Sequence, residues 1–196
     1  MTKNLLTTIL LGVLAMALQG CAEMLAGGAA VGAAAIHDRR SAGTVMDDEG
    51  IEWKALGAVS SDKELWDQIH VNITSYNRSV LLTGEAPTEQ ARARVEQHVR
   101  GVPGVMRVYN EIAVAAPSSL LSRTSDTMIT GKVKASHLKI EGLEGFDATR
   151  VKVVTERGIV YLMGLLTHAE AEAVTEKTRQ VGGVQRVVKL FEYINK

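Results

Sequence analysis

Most of this chain says the same thing twice. Val80-Leu81-Leu82-Thr83-Gly84 returns as Val160-Tyr161-Leu162-Met163-Gly164. Val102-Pro103-Gly104-Val105-Met106-Arg107-Val108 returns as Val181-Gly182-Gly183-Val184-Gln185-Arg186-Val187. The offset is 80 residues at Val80 and Val160 but 79 at Val105 and Val184, so the copies differ by one loop residue. Upstream, Asp48 to Ala55 aligns with Asp126 to Val133. Any element assigned in one copy must therefore be legible in the other.

Each copy carries the same order of signals. A helical pattern comes first, with Ile51 and Ala55 in copy one and Ile129, Val133 and Ile140 in copy two. Two short strands follow, with period-two alternation at Val71, Ile73 then Val80, Leu82, and at Val151, Val153 then Val160, Leu162. Tyr76-Asn77-Arg78 and Glu156-Arg157-Gly158 are the predicted hairpin turns, and Gly84 and Gly164 are expected to end the second strands. A second helix is capped by Thr88 or Thr167, the latter at capping-box spacing from Glu170. Its apolar stripe is Ala91, Val95, Val99 and Val102 in one copy and Val174, Thr178 and Val181 in the other. A glycine turn then leads to a last strand, Val105 to Val114 or Val184 to Ile194. This order predicts an α+β chain of two tandem α-β-β-α-β domains, residues 47–115 and 125–196, joined by 116–124. Each is a three-stranded sheet with both helices on one face. A unit of about seventy residues is near the lower limit for a self-sufficient core, so the copies are expected to dock. Trp53 and Trp66 are expected in the core or between the domains.

The beginning of the chain reads as an address. Residues 1–20 carry one charge, Lys3, then an apolar run from Leu5 to Leu18 that is shorter than the roughly twenty residues a bilayer requires. That is the pattern of a secretory signal peptide. The run ends in Leu18-Gln19-Gly20-Cys21, which resembles the bacterial lipobox; Cys21, the only cysteine, would then be the lipidated first mature residue. Ala22 follows where an inner-membrane lipoprotein tends to carry Asp, which favours the outer membrane. The alternative is a stray cysteine beside an ordinary signal. Residues 21–46 complete a lipidated start and an Ala/Gly-rich tether; a packed helix of small residues is the other reading of that stretch.

Chemistry is scarce in what remains. Lys+Arg and Asp+Glu are both 22 and aromatics are 4%, which disfavours a nucleic-acid binder. His37, His70, His98, His137 and His168 include no pair at i, i+3 or i+4, so spacing points to no metal site and to no cofactor. Gly101 to Gly104 and Gly182-Gly183 follow helices and precede strands, the reverse of a phosphate loop, and read as C-cap turns. Glu170, Glu172 and Glu176 read as a solvated helix face rather than a catalytic carboxylate pair. Nothing here points to an enzyme.

Charge distribution does carry a signal. Residues 47–115 hold Lys+Arg 7 against Asp+Glu 11, whereas residues 125–196 hold Lys+Arg 11 against Asp+Glu 9. On the first helix of copy two, Ile129, Val133, Ser136 and Ile140 share one sector and should face the sheet. The opposite side collects Met128, Gly131, Lys134, Ala135 and Leu138, flanked by Lys132 and Lys139. Such a face suits an anionic membrane, since apolar side chains dip among headgroups while each lysine contributes about 1 kcal/mol. The bland alternative is that Met128 and Leu138 pack against copy one and the lysines are solvated.

The repeat resembles the BON domain, a small module of periplasmic proteins and outer-membrane lipoproteins. The residues that carry the resemblance are Val80, Leu82, Gly84, Gly104-Val105, Val108, Asn110 and Ile112, then Val160, Leu162, Gly164, Gly183-Val184 and Val187. Copy two departs from the pattern with Lys189 where copy one has Asn110. Lipobox, tether, Arg40-Ser41-Ala42-Gly43-Thr44 and two copies together resemble the dual-BON outer-membrane lipoproteins. The resemblance implies a lipid-anchored protein on the periplasmic face of the outer membrane. It implies anionic phospholipid binding through the first helix of copy two, with an aromatic expected at the position of Met128. It also implies a part in membrane integrity and a link to division sites. A protein-binding adaptor, recruiting envelope or division proteins through an exposed sheet edge, is the competing function.

Overall fold

The computed structural model describes residues 38–116 and 118–195. The first domain runs α1 (Ala42–Ser60), α2 (Lys63–Trp66), β1 (His70–Tyr76), β2 (Ser79–Ala86), α3 (Glu89–Arg100), β3 (Arg107–Asn110) and β4 (Ala113–Val114). The second runs α4 (Leu120–His137), a 3-10 turn (Ala148–Arg150), β5 (Lys152–Glu156), β6 (Ile159–Leu166), α5 (His168–Arg179) and β7 (Arg186–Tyr193). In each sheet the middle strand pairs antiparallel with the strand before it and parallel with the last one. The α-β-β-α-β reading therefore holds in both copies, with one addition and one break. The short helix α2 was not legible, and the last strand of copy one is interrupted. Asn110 explains the break: its side-chain oxygen accepts from Ile112 N, while its amide donates to Glu96 at 2.9 Å. Lys189, in the same register against Leu162 as Asn110 against Leu82, offers no such bond, and β7 runs on unbroken.

An aspartate on each first helix fixes the hairpin beneath it. Buried Asp48 accepts from Ser75 Oγ, Asn77 N and Arg78 N, each at 2.7 Å. Buried Asp126 accepts from Arg157 N at 2.9 Å and Gly158 N at 2.8 Å. Both turns need two consecutive residues at positive φ, Asn77 and Arg78 at 48° and 62°, Arg157 and Gly158 at 54° and 73°. Two-residue hairpins of that hand match the twist of their strands, and the carboxylates satisfy N–H groups that the ladder leaves over.

Alternation along the central strands sends side chains into two cores. Val80 and Leu82 pack with Ile51, Ala55, Val95 and Val99 beneath the helices of domain one. Val160, Leu162 and Leu166 do the same with Ile129, Val133 and Val174 in domain two. The intervening residues form a third cluster, Tyr76 and Leu81 with Tyr161 and Met163, in which the two sheets meet face to face. Docking of the copies is therefore sheet on sheet, and the helices of both domains lie outside.

Two consecutive arginines tie the chain down before α1. Arg40 reaches Asp48 at 2.7 Å and lies 3.8 Å over the Tyr76 ring. Arg39 crosses to domain two, where it donates to Leu165 O at 2.9 Å and to both oxygens of Glu170 at 2.6 Å. Glu170 is thus buried, contrary to its reading as surface, although its capping box with Thr167 forms as expected. The Arg39 hydrogen bonds hold its carboxyl down at about 2, so the stability it contributes is complete above the ordinary 4.5 and lost as pH falls toward 2. Trp53 is 75% exposed and Trp66 39%, so neither is the core or interdomain aromatic that the sequence suggested.

Gly84 and Gly164 occupy the same sixth position of eight-residue strands, inside them rather than at their ends. Their backbones differ. Gly84 has φ +112°, and a Cβ there would sit 2.0 Å from His70 O; at Gly164 the closest approach is 3.1 Å, to Arg150 O. Gly84→Ala is expected to cost about 3 kcal/mol or more and Gly164→Ala about 1 kcal/mol, readable as the difference between their urea unfolding midpoints.

Candidate functional site

The outward side of α4 is the surface that the charge pattern singled out. Ser119 caps the helix by accepting from Ser122 N, and Asp126, Ile129, Val133 and His137 point inward. At about 100° per residue, Leu121, Met128 and Ala135 fall on one line along the opposite side. Lys132 flanks that line, Gly131 and Lys134 lie on its other border, and Lys139 follows in the turn just past the helix end. Met128, Gly131, Lys132, Lys134, Ala135, Leu138 and Lys139 are all exposed. Met128 is 59% exposed and Leu138 73%, so they do not pack against copy one. Copy one is occupied elsewhere, against the far side of the sheet.

The sequence reading began this face too late. Leu120 and Leu121, exposed by 78% and 81%, extend it by two turns toward the linker. They fall in the stretch 116–124 expected to be a linker, whereas α4 already begins at Leu120. The full strip has a leucine at either end, a methionine at its middle and three lysines in its second half. Among the described residues, none of Lys132, Lys134 or Lys139 has a carboxylate within ion-pair distance. The only acid of α4 is Asp126, which is buried on the hairpin turn.

Comparison with α1 isolates what is particular to this surface. The two helices align Asp48 with Asp126, and in that register Ser125, Thr127 and Thr130 replace Asp47, Glu49 and Glu52. Met128 replaces Gly50, Lys134 replaces Leu56 and Lys139 replaces Ser61. One backbone thus presents an acidic outer face in the first domain and a basic, apolar-tipped one in the second.

The inner side of α4 is anchored by an uncharged imidazole. Nε2 of His137 lies 2.9 Å from Thr178 Oγ1, whose own hydrogen goes to Val174 O at 2.7 Å, so Nε2 carries the proton and donates. Nδ1 is buried with no partner among the described residues. A second proton would have nowhere to bond, and burial pushes this group down to about 4.

The BON domain family model matches residues 47–116 and 125–195. The chain is 37% identical over 178 residues to "Outer membrane lipoprotein DolP" of Haemophilus influenzae, covering 91% of each sequence. It is 38% identical over 157 residues to "21 kDa hemolysin" of Actinobacillus pleuropneumoniae, covering 80% of this chain and 79% of that one. Among solved structures, the C-terminal domain of CdsD from the type III secretion system of Chlamydia trachomatis aligns with 72% of this chain and 96% of its own, at 10% identity and a TM-score of 0.29.

Because His137 resists protonation in the fold and titrates near 6.5 when unfolded, stability is expected to fall as pH drops from 6.5 to 4 and to lose nothing further from this group below that. His137→Leu should flatten this part of the profile, measured as the wild-type minus variant difference in melting temperature across that window.

Proposed function

We propose that this chain, which belongs to the BON domain family and is an outer-membrane lipoprotein with two such domains, binds anionic phospholipid through the outward face of α4. The observation that carries the reading is a continuous exposed strip of Leu121, Met128, Ala135 and Leu138 bordered by three lysines that have no acidic partner among the described residues. Apolar side chains are stabilised among acyl chains and headgroups, and each lysine near a negatively charged surface contributes about 1 kcal/mol. Met128 is smaller than the aromatic expected at its position, so insertion is shallow and charge carries most of the affinity. The activity is that of a binding protein rather than an enzyme, and its contribution to the envelope is maintenance of outer-membrane integrity, including at division sites.

Replacing Lys132, Lys134 and Lys139 together with Glu should lower affinity for anionic vesicles at least about a hundredfold while leaving the circular dichroism unchanged. Met128→Asp should weaken binding as well, but with less response to salt, because it removes insertion rather than charge. Unchanged vesicle binding by the folded triple variant would remove the function from this helix.

Cys21 lies outside the described residues, and its lipidation is part of the same proposal. Cys21→Ala should leave the precursor unprocessed and absent from the outer-membrane fraction, read by immunoblot of fractionated cells. Normal maturation of that variant would contradict the assignment.

A second reading has its own support in domain one. Exposed Trp53 and Leu56 border a groove with Val71 and Ile73 of the edge strand β1, flanked by Glu49 and Glu52. An adaptor using this groove would keep its partner when vesicles are absent and when the three lysines are replaced.

A further inference from the structure

The rim between the two sheets gathers three side chains that the sequence keeps far apart. His70 opens β1, and Glu85 is its cross-strand partner on β2. Glu156 ends β5 in the other domain. Val71 and Ile73 turn toward the helices, so the alternation of β1 directs His70 and Asn72 to the side where domain two lies. Val154 of β5 belongs to the cluster between the sheets, and Glu156 shares its parity. One donor atom from each of His70, Glu85 and Glu156 falls within 4.8 Å of the others.

The two carboxylates are placed where carboxylates are costly. Glu85 is fully buried and Glu156 nearly so. Nδ1 of His70 stands 3.1 Å from Glu85 Oε2, but Glu85 Oε1 has no hydrogen-bond donor among the described residues. The nearest cation is half-exposed Arg157, at 3.7 Å from that oxygen and beyond hydrogen-bond reach. Asn72 donates to Glu156 Oε2 at 2.9 Å and so orients the second carboxylate. Two buried acids this close call for positive charge between them.

The geometry points to a binding site for a divalent transition-metal ion of the zinc type, held by His70, Glu85 and Glu156 at the junction of the two domains. One imidazole and two carboxylates suit zinc better than magnesium or calcium, which take six or more oxygens or keep several waters. A groove lined by His70, Asn72, Thr130 and Glu156 gives access from solvent. Its ligands come from three strands of two domains, which is why the spacing of histidines along the chain could not reveal it. An ion there joins the domains by coordination, at the rim of their interface.

The test uses the full-length chain in detergent, stripped with a chelator and titrated with zinc chloride by calorimetry, with magnesium chloride as the control. The expected result is one zinc per chain, a higher melting temperature with zinc, and no response to magnesium. His70→Ala and Glu156→Gln, each checked for folding by circular dichroism, should each weaken zinc binding by about tenfold to a hundredfold. Absence of zinc binding in the wild type would overturn the inference. So would binding of unchanged affinity in both folded variants, because the ion would then sit on other histidines.

Discussion

Face-to-face packing of the two sheets is the contact on which the rest of this structure depends. A three-stranded sheet with helices on one side leaves its other side bare, and a domain of about seventy residues has little else to offer as cover. Here each copy covers the other. Tyr76, Leu81, Tyr161 and Met163 are buried in the seam. At roughly 1.5–3 kcal/mol for each large side chain removed from water, their burial is comparable with the entire stability of a small domain. The same arrangement decides what is left outside. Because the sheets face each other, both helical layers face away, and the basic strip on α4 is available to a surface.

The polar rim of that seam is built from residues that mean little in isolation. Lys152 bonds Glu52 at 2.8 Å, Asn77 bonds Glu192 at 2.6 Å and Leu165 N donates to Tyr76 Oη at 3.1 Å. Arg39 and Arg40, adjacent in sequence, each serve a different domain. The half-exposed Lys152–Glu52 pair adds orientation more than energy, since water screens it, whereas the Arg39–Glu170 and Arg40–Asp48 pairs are largely buried. Together with the apolar seam they define one relative placement of the two copies.

Much of this was legible because the chain repeats. Period-two alternation located β2 and β6, the Thr167–Glu170 spacing located the start of α5, and alignment of Asp48 with Asp126 located equivalent helices. Alternation alone did not show that Val160 to Met163 are buried on both faces, because that follows from the second copy covering the sheet. Trp53, Trp66 and Glu170 were misread for a common reason. A side chain's type gives its average environment, whereas these three follow from which face the partner copy covers and from the reach of an arginine more than a hundred residues away. The exposed Leu120 and Leu121 escaped because the similarity between the copies starts only near Asp48 and Asp126, whereas both first helices start earlier, at Ala42 and Leu120. The His70–Glu85–Glu156 cluster could not be read at all without strand register and domain docking.

We propose that the outward face of α4, and no other surface, meets an anionic bilayer. Amide NMR spectra of the protein on bicelles with anionic headgroups and a paramagnetic lipid test this most directly. The expected result is broadening centred on Leu121, Met128, Lys132, Ala135 and Lys139, with the buried Ile129 and Val133 less affected and domain one unaffected. Broadening centred on Trp53 and β1, or none on α4 while the protein remains bound, would contradict the account.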